Sequence, residues 1–209
     1  MMKKDALLPQ RKDDHLKINL EQDVQSTIST GFEKIRLKHR ALPELNSDQI
    51  DLTLTLFNKK LTAPILISSM TGGSSKGAAF NRTLALAAEQ CGIAMGVGSQ
   101  RAAIEDPDLS ESFRIRKFAP KTLLFANLGA VQLNYGYGIE ECEKAVEMLE
   151  ADALYLHLNP LQEALQPEGN HDFSDLFRKI EPICHALSVP VLVKEVGWGI
   201  DLDTARKLL

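Results

Sequence analysis

Short apolar runs alternate with amphipathic stretches along this chain from residue 61 onward. The runs are nearly continuous in hydrophobic residues, as is typical of parallel strands covered on both faces. The stretches between them have the 3.6-residue period of helices. The predicted strands are Pro64–Met70, Ile93–Val97, Thr122–Leu128, Ala153–Leu158 and Val189–Val196. The predicted helices are Ser75–Cys91, Leu109–Phe118, Ile139–Leu149 and Phe173–Leu187, and Asp201–Leu209 has the pattern of the start of a fifth.

Repeated strand–helix units of this kind predict a parallel α/β sheet with right-handed crossovers. An open doubly wound sheet and part of a (β/α)8 barrel, which takes about 250 residues when complete, both fit the pattern. In the barrel interpretation, residues 61–209 supply about the first five units, without the C-terminal ones. Residues 1–60 form an N-terminal lid and capping segment, with short antiparallel strands at Phe32–Leu37 and Asp51–Phe57.

Composition narrows the class of protein. The 209 residues carry a formal net charge of -4, which argues against a general nucleic-acid binder. No apolar run approaches the roughly 20 residues of a membrane span, and the charged start is unlike a signal peptide. Three widely spaced cysteines indicate a reducing, cytoplasmic setting, with Cys91 and Cys184 expected to be buried. An unpaired sheet edge further predicts a homo-oligomer.

Polar residues crowd the end of the fourth predicted strand. The segment His157-Leu158-Asn159-Pro160-Leu161-Gln162-Glu163 follows an apolar run and precedes the loop Pro167-Glu168-Gly169. Polar groups at the end of a buried strand must find partners or lose their hydration. Because ligands bind at the carboxyl ends of parallel strands, we expect this imidazole, the amides and the carboxylate to line a site.

The other strands also end in candidate ligand groups. Arg101 could hold a phosphate or be an ordinary surface arginine. Asn127 could contact a ligand or form a turn. Lys194 lies in an apolar strand, where a lysine is rarely buried without a partner, so it could form a Schiff base or face an anionic cofactor. Each of these residues alone has an ordinary structural explanation. Together they place polar side chains at the ends of successive strands, as in the active site of a barrel enzyme.

Several motifs together resemble the FMN-dependent type 2 isopentenyl diphosphate isomerases. The His157–Glu163 segment followed by Gln166-Pro167-Glu168-Gly169 carries the most specific part of the resemblance. The other matching stretches are Arg11-Lys12-Asp13-Asp14-His15, Ser69-Met70-Thr71-Gly72-Gly73, Gly98-Ser99-Gln100-Arg101, Asn127-Leu128-Gly129 and Lys194-Glu195-Val196-Gly197.

The resemblance implies an FMN-binding (β/α)8 barrel that interconverts isopentenyl and dimethylallyl diphosphate in isoprenoid biosynthesis. It implies reduced FMN, Mg²⁺, and NADPH or NADH as the flavin reductant. Gln162 would be catalytic at the reacting carbon end of the substrate, in proton transfer, and Glu163 would bind Mg²⁺. An amide is a poor free-standing acid or base, so the reduced flavin is the better proton donor. The implied diphosphate-binding residues are Arg11, Lys12, His15, Ser99, Gln100, Arg101, Asn159 and Gln162, and the implied FMN-binding residues are Ser69, Met70, Thr71, Ser99, Asn127 and Lys194.

Two other functions remain open at this stage. An FMN-dependent 2-hydroxy-acid oxidase shares a related barrel but would need a His/Arg pair late in that barrel, in a region beyond the five strand–helix units predicted here. An inactive half-barrel is the non-enzyme alternative. We also expect Arg11, Lys12 and His15 to lie on a segment that becomes ordered over the diphosphate, because that stretch has little apolar content to pack.

Overall fold

The computed structural model describes residue 14 and residues 17–209. At its centre lies a five-stranded parallel sheet of order β3-β4-β5-β6-β7. Each predicted strand region contains one of these strands, which confirms the parallel α/β class. The strands are β3 (Leu66–Ile67), β4 (Ala94–Gly96), β5 (Leu124–Gly129), β6 (Ala153–Leu158) and β7 (Val191–Glu195). Closure into a complete barrel stays a prediction, as does the division into residues 1–60 and 61–209.

Helices follow the strands in sequence, and local caps set their ends. The first helix begins where the Ser74 hydroxyl accepts a hydrogen bond from Gly77 N, and it ends at Gly92, whose φ of 64° is the left-handed conformation that glycine tolerates. The helices are α1 (Ser75–Cys91), α2 (Arg101–Glu105), α3 (Ile139–Leu149), α4 (Pro160–Leu165), α5 (Leu176–Ala186) and α6 (Leu202–Leu208).

The sheet buries side chains on both faces. All six residues of β5 are buried, whereas all five of β7 are partly exposed. Leu124, Ala126 and Leu128 point into the larger core beneath the helices. On the opposite face, Phe125 stacks on Tyr155 with ring centroids 4.4 Å apart. Full burial of such a side chain contributes about 1.5–3 kcal/mol, so β5 and β6 form the stable centre of the fold.

A hairpin covers part of this second face. It consists of β1 (Leu54–Leu56) and β2 (Lys59–Leu61), which pair antiparallel. Leu61 is buried against Phe125 and Tyr155, and Lys59 forms an ion pair with Asp152 at 3.3 Å. The expected strand within residues 51–57 is therefore present and caps the sheet, although its partner is the segment that follows it.

Three sequence-based expectations were wrong. Phe32–Leu37 is not a strand: a 3-10 helix spans Phe32–Lys34, and Phe32 is 75% exposed, so its alternating pattern finds no second layer among the described residues. The predicted helix at 109–118 is two 3-10 helices, Pro107–Phe113 and Arg116–Phe118. Cys91 and Cys184 are exposed rather than buried, because both lie on the outer faces of their helices.

Among the described residues, no helix is long and apolar enough to cross a bilayer.

Candidate functional site

A cavity of about 290 Å³ opens at the carboxyl ends of the parallel strands. Among the predicted site residues, those that line it are Ser69, Met70, Ser99, Arg101, Asn127, Asn159, Gln162, Glu163 and Lys194. The structure thus brings residues from all five strand ends together. Thr71 and Gln100 do not line the cavity, and Arg11, Lys12 and His15 lie outside the described residues.

The β6 end supplies a connected amide–carboxylate group. Asn159 is 3% exposed and directly precedes α4, which Pro160 opens. Asn159 Nδ2 donates to Glu163 Oε1 at 2.9 Å and to Gln162 Oε1 at 3.2 Å. Its Oδ1 atom is buried with no hydrogen-bond partner among the described residues. Since such an acceptor is costly to leave unpaired, it is positioned for a ligand donor or a bound water.

Glu163 is a buried carboxylate held by neutral donors alone. It is 5% exposed, and its Oε2 atom accepts a hydrogen bond from Asn170 N at 2.7 Å. Within the part of the chain that the structure describes, no cationic side chain lies within ion-pair distance of it. A buried negative charge without a counter-charge is unfavourable. The site therefore suits a cation at Glu163.

Arg101 brings a positive charge to the same cavity. Its Nε donates to Glu105 Oε1 at 2.6 Å, and its Nη1 donates to Asn170 Oδ1 at 3.0 Å. A guanidinium has five N–H donors, so these two bonds fix its plane and leave others for an anion. This placement fits the predicted phosphate contact.

Gln100 does not line the cavity. It is fully buried, its Oε1 accepts from Asn127 N at 2.9 Å, and its Nε2 donates to the carbonyl of Ala145 at 2.8 Å. Its side chain thus joins β5 to α3. Gln100 thus lies behind the cavity and supports the end of β5, and its contact with the diphosphate stays a prediction.

Asn127 and His157 form a second polar pair at the cavity. Asn127 Nδ2 donates to the carbonyl of Val97 at 3.0 Å, and its Oδ1 lies 2.8 Å from His157 Nδ1. His157 stands opposite Lys194 in the register of β6 and β7. The pair fixes one ring nitrogen of His157 within the sheet and turns its other edge toward Gly129.

Lys194 is half-buried at the end of β7. Burial lowers the pKa of its ammonium, and the neighbouring Glu195 opposes this shift. Among the described residues, no acceptor forms a hydrogen bond or ion pair with its Nζ atom. An ammonium without a partner in a cavity is a binding group for an anion or an electron-rich ring system.

The segment after β3 adds two unpaired hydroxyls. Ser69 Oγ and Thr71 Oγ1 are buried with no hydrogen-bond partner among the described residues. Gly98 approaches this segment so closely that an added Cβ would lie 2.5 Å from the carbonyl oxygen of Thr71. Glycine at this position lets the β4 end pack directly on the 69–71 backbone.

Some lining residues were not predicted. Gly129, the last residue of β5, and Gln132, which is 4% exposed and follows that strand, border the cavity. Asn170 contacts both Arg101 and Glu163 from the loop after α4. The only sequence signal for Asn170 was its place next to Pro167-Glu168-Gly169.

A larger groove of about 720 Å³ lies elsewhere, between the 3-10 segments and α3. Its Lys117 and Lys144 are ion-paired with acidic neighbours, Glu111 and Glu140. Arg116 is bound to Asp152 and to backbone carbonyls, including that of Glu150. Lys117, Lys144 and Arg116 are thus bound within the protein, whereas the smaller cavity holds buried polar atoms that lack hydrogen-bond partners among the described residues.

Comparison with known proteins gives close relatives over nearly the whole chain. A Synechocystis protein named isopentenyl-diphosphate delta-isomerase is 58% identical over 201 residues, which is 96% of this chain and 58% of the relative. Proteins of the same name from Nostoc and Rickettsia rickettsii are 53% and 51% identical over 95% and 100% of this chain and 57% and 61% of their own lengths. The chain therefore spans about three fifths of the length of the curated relatives it matches.

Comparisons with protein-family models and with solved structures do not narrow the function further. No protein-family model matches the chain. A solved mandelate oxidase mutant with a monooxide FMN adduct superposes with a TM-score of 0.47 and 11% identity, covering 78% of this chain and 48% of that one. A likeness at this level carries no argument about the fold or the ligand.

Proposed function

We propose that this chain carries the FMN and substrate site of an isopentenyl-diphosphate delta-isomerase. Relatives of that name match it along nearly its whole length. The observation that carries the proposal is that a buried carboxylate, Glu163, and two cationic side chains, Arg101 and Lys194, line one cavity. The cationic side chains can bind the oxygens of a diphosphate, and the carboxylate can bind the divalent cation that accompanies it.

The residues present fit FMN. Ser69 and Thr71 offer buried hydroxyls that lack partners among the described residues, and Lys194 offers an unpaired ammonium in the cavity that Ser69 also lines. Met70 is 68% exposed, and both Met70 and Asn127 line this cavity, so both can contact a flat ring system. Reduced FMN, when bound, would supply the proton that adds to the substrate double bond, and NADPH or NADH would be its reductant.

The residues also fit Mg²⁺. No cluster of three or more His, Cys, Asp or Glu side chains suited to a metal occurs in the described part of the chain. Mg²⁺, however, is commonly bound by one or two carboxylates together with substrate phosphates and water. Glu163 is such a carboxylate, and the hydrogen bonds from Asn159 and Asn170 hold it in one orientation.

Substrate binding then divides among the residues of the cavity. Arg101 and Ser99 hold the diphosphate oxygens, together with Arg11, Lys12 and His15. Asn159 presents its unpaired carbonyl oxygen beside Glu163. Gln162 accepts a hydrogen bond from Asn159, which orients its amide toward the hydrocarbon end of the substrate. Because an amide does not titrate near neutral pH, Gln162 positions the reacting carbons rather than ionising.

The reaction needs no net oxidation. A proton adds to the terminal methylene carbon of isopentenyl diphosphate, and a proton leaves the carbon next to the CH₂–O group, which moves the double bond. We further propose a cytoplasmic homo-oligomer as the working form.

The test is a direct assay of the protein with FMN, a reductant and Mg²⁺ without oxygen. We expect dimethylallyl diphosphate to form from isopentenyl diphosphate, and the reverse, with no net consumption of NADPH. Flavin absorbance after gel filtration measures cofactor retention separately. A protein that retains flavin but oxidises mandelate or another 2-hydroxy acid, without isomerising either diphosphate, would contradict the proposal.

A further inference from the structure

Asn170 joins the two oppositely charged side chains of the cavity. Its Oδ1 atom accepts hydrogen bonds from Arg101 Nη1 at 3.0 Å and from Gln132 Nε2 at 3.1 Å. Its backbone N–H donates to Glu163 Oε2 at 2.7 Å. One residue thus contacts the guanidinium through its side chain and the carboxylate through its backbone.

The arrangement keeps Arg101 and Glu163 apart. Opposite charges in a poorly solvated cavity attract strongly, yet no ion pair within 4.0 Å joins these two residues. Arg101 is instead paired with Glu105 at 2.6 Å, and within the described part of the chain Glu163 is bound only by N–H donors. A direct pair would neutralise both groups and leave neither for a ligand.

The backbone holds Asn170 firmly in this place. An added Cβ on Gly169 would overlap the carbonyl oxygen of Glu163, so the loop packs directly against α4. Gly169 N also donates to the carbonyl of Gln166 at 3.0 Å. The Gln132 amide that shares the Asn170 oxygen is 4% exposed. Asn170 is therefore fixed on one side by backbone contact and on the other by a buried amide.

We propose that Asn170 is a positioning residue that sets the separation of Arg101 and Glu163. The inference rests on the proposed function, in which Arg101 binds the diphosphate and Glu163 binds the Mg²⁺ that the diphosphate also coordinates. With Asn170 in place, the anion and the metal are bound at once by two groups of opposite charge. Without it, Arg101 is free to turn toward Glu163 or to pair fully with Glu105.

The test compares Asn170→Ala with Asn170→Asp and with Asn134→Ala. The aspartate retains an acceptor for Arg101 and the backbone bond to Glu163. Asn134 ties down the same loop, because its Nδ2 donates to the carbonyls of Asp172 and Ser174 at 2.9 Å each, but it contacts neither charged residue. Asn134→Ala therefore measures the purely structural effect of loosening the loop.

For Asn170→Ala we expect the KM for isopentenyl diphosphate and the half-saturating Mg²⁺ concentration each to rise about tenfold, as for the loss of one hydrogen bond to a charged group. The kcat should change much less. Asn170→Asp should recover most of the KM, and Asn134→Ala should change stability without this KM shift. Equal effects of Asn170→Ala and Asn134→Ala, or no rescue by aspartate, would overturn the inference.

Calorimetric titration with inorganic pyrophosphate and Mg²⁺ supplies a readout that does not depend on turnover. Weaker binding to Asn170→Ala than to the unmodified protein supports the positioning role, and equal binding contradicts it. An unmodified protein that binds Mg²⁺–pyrophosphate through this network but never isomerises the diphosphates would overturn the proposed function while leaving the role of Asn170 intact. An unmodified protein that does not bind Mg²⁺–pyrophosphate overturns the positioning role.

Discussion

Asn127 Oδ1 lies 2.8 Å from His157 Nδ1 and fixes which nitrogen of the ring carries hydrogen. The Asn127 amide can present only its oxygen to the ring, because its Nδ2 atom donates to the carbonyl of Val97 at 3.0 Å. Neutral His157 must therefore be protonated on Nδ1, with Nε2 as its acceptor.

This relationship predicts the effect of Asn127→Leu. The His157 ring and the Val97 carbonyl both lose a buried partner, so the free energy of unfolding should fall by about 1–3 kcal/mol. Urea unfolding measures the loss. Nitrogen-15 NMR of the histidines should show the Nδ1–H form of His157 in the parent protein and a mixture in the variant. An unchanged tautomer would contradict the assigned contact, and exposed His185 serves as the internal reference.

Glu163→Gln tests the proposed metal contact. The substitution preserves shape but removes the charge, so the Mg²⁺ concentration for half-maximal activity should rise at least about tenfold, because even lost outer-shell contacts weaken metal sites by that much. Glu168→Gln, an exposed change in the adjacent loop, should have no effect. If the Mg²⁺ dependence of the two variants is the same, Glu163 is only a carboxylate that stabilises the start of α4.

Lys194→Met should weaken FMN retention and yet stabilise the protein without cofactor. Loss of one charged contact predicts a rise of about tenfold in the FMN dissociation constant and slower flavin reduction. In the cofactor-free protein, half-burial penalises the charged lysine, and methionine removes that penalty. We therefore expect the cofactor-free Lys194→Met variant to unfold at a higher temperature than the cofactor-free parent protein at neutral pH. Exposed Lys76→Met is the control for both measurements.

The same residue predicts a pH dependence. The folded-state pKa of Lys194 is lowered, so its unfavourable contribution is fully present below that pKa. As pH rises through the lowered pKa toward the ordinary lysine value of 10.5, the lysine neutralises and its unfavourable contribution disappears. Relative to Lys194→Met, the parent cofactor-free protein should therefore gain stability across this interval. A constant difference between the two unfolding curves would contradict the burial of Lys194.

Gly98→Ala should disturb the segment that carries Ser69 and Thr71. The new Cβ would lie within 2.5–2.8 Å of three backbone atoms of Thr71, which cannot rotate away as a side chain can. We expect a loss of about 1–3 kcal/mol in the free energy of unfolding, with weaker FMN retention. Gly138→Ala is the matched control, since nothing lies within 4 Å of its added Cβ. Equal losses in both variants would show that the close approach at Gly98 is relaxed in solution.

Sequence periodicity was sufficient to locate the five parallel strands and the bounds of α1 and α3. Local capping residues determine both ends of α1: Ser74 is the N-cap, and Gly92 adopts the left-handed conformation at the C-terminus. The hairpin was missed because its turn uses Phe57 and Asn58 at positive φ, and phenylalanine is a rare residue in that conformation.

The candidate site was predicted in outline but not in its internal connections. Asn127, Glu163 and Lys194 could be predicted as site residues from their positions at or just after strand ends, because parallel strands bring their carboxyl ends to one edge of the sheet. Sequence does not tell which of two neighbours faces the cavity, so Gln100 was placed with the ligand although its side chain lies in the core. Asn170 was missed because its importance comes from a partner 69 positions away in the chain.

The uneven burial of the strands divides the cavity into two walls of unequal local stability. Asn127 belongs to β5, which is buried throughout, whereas Lys194 belongs to β7, which is partly exposed throughout and has only β6 as a described neighbour. Backbone amides of β7 should therefore exchange with solvent deuterium through small local openings, and those of β5 only through global unfolding. The wall that carries Lys194 should thus open locally while the wall that carries Asn127 stays closed.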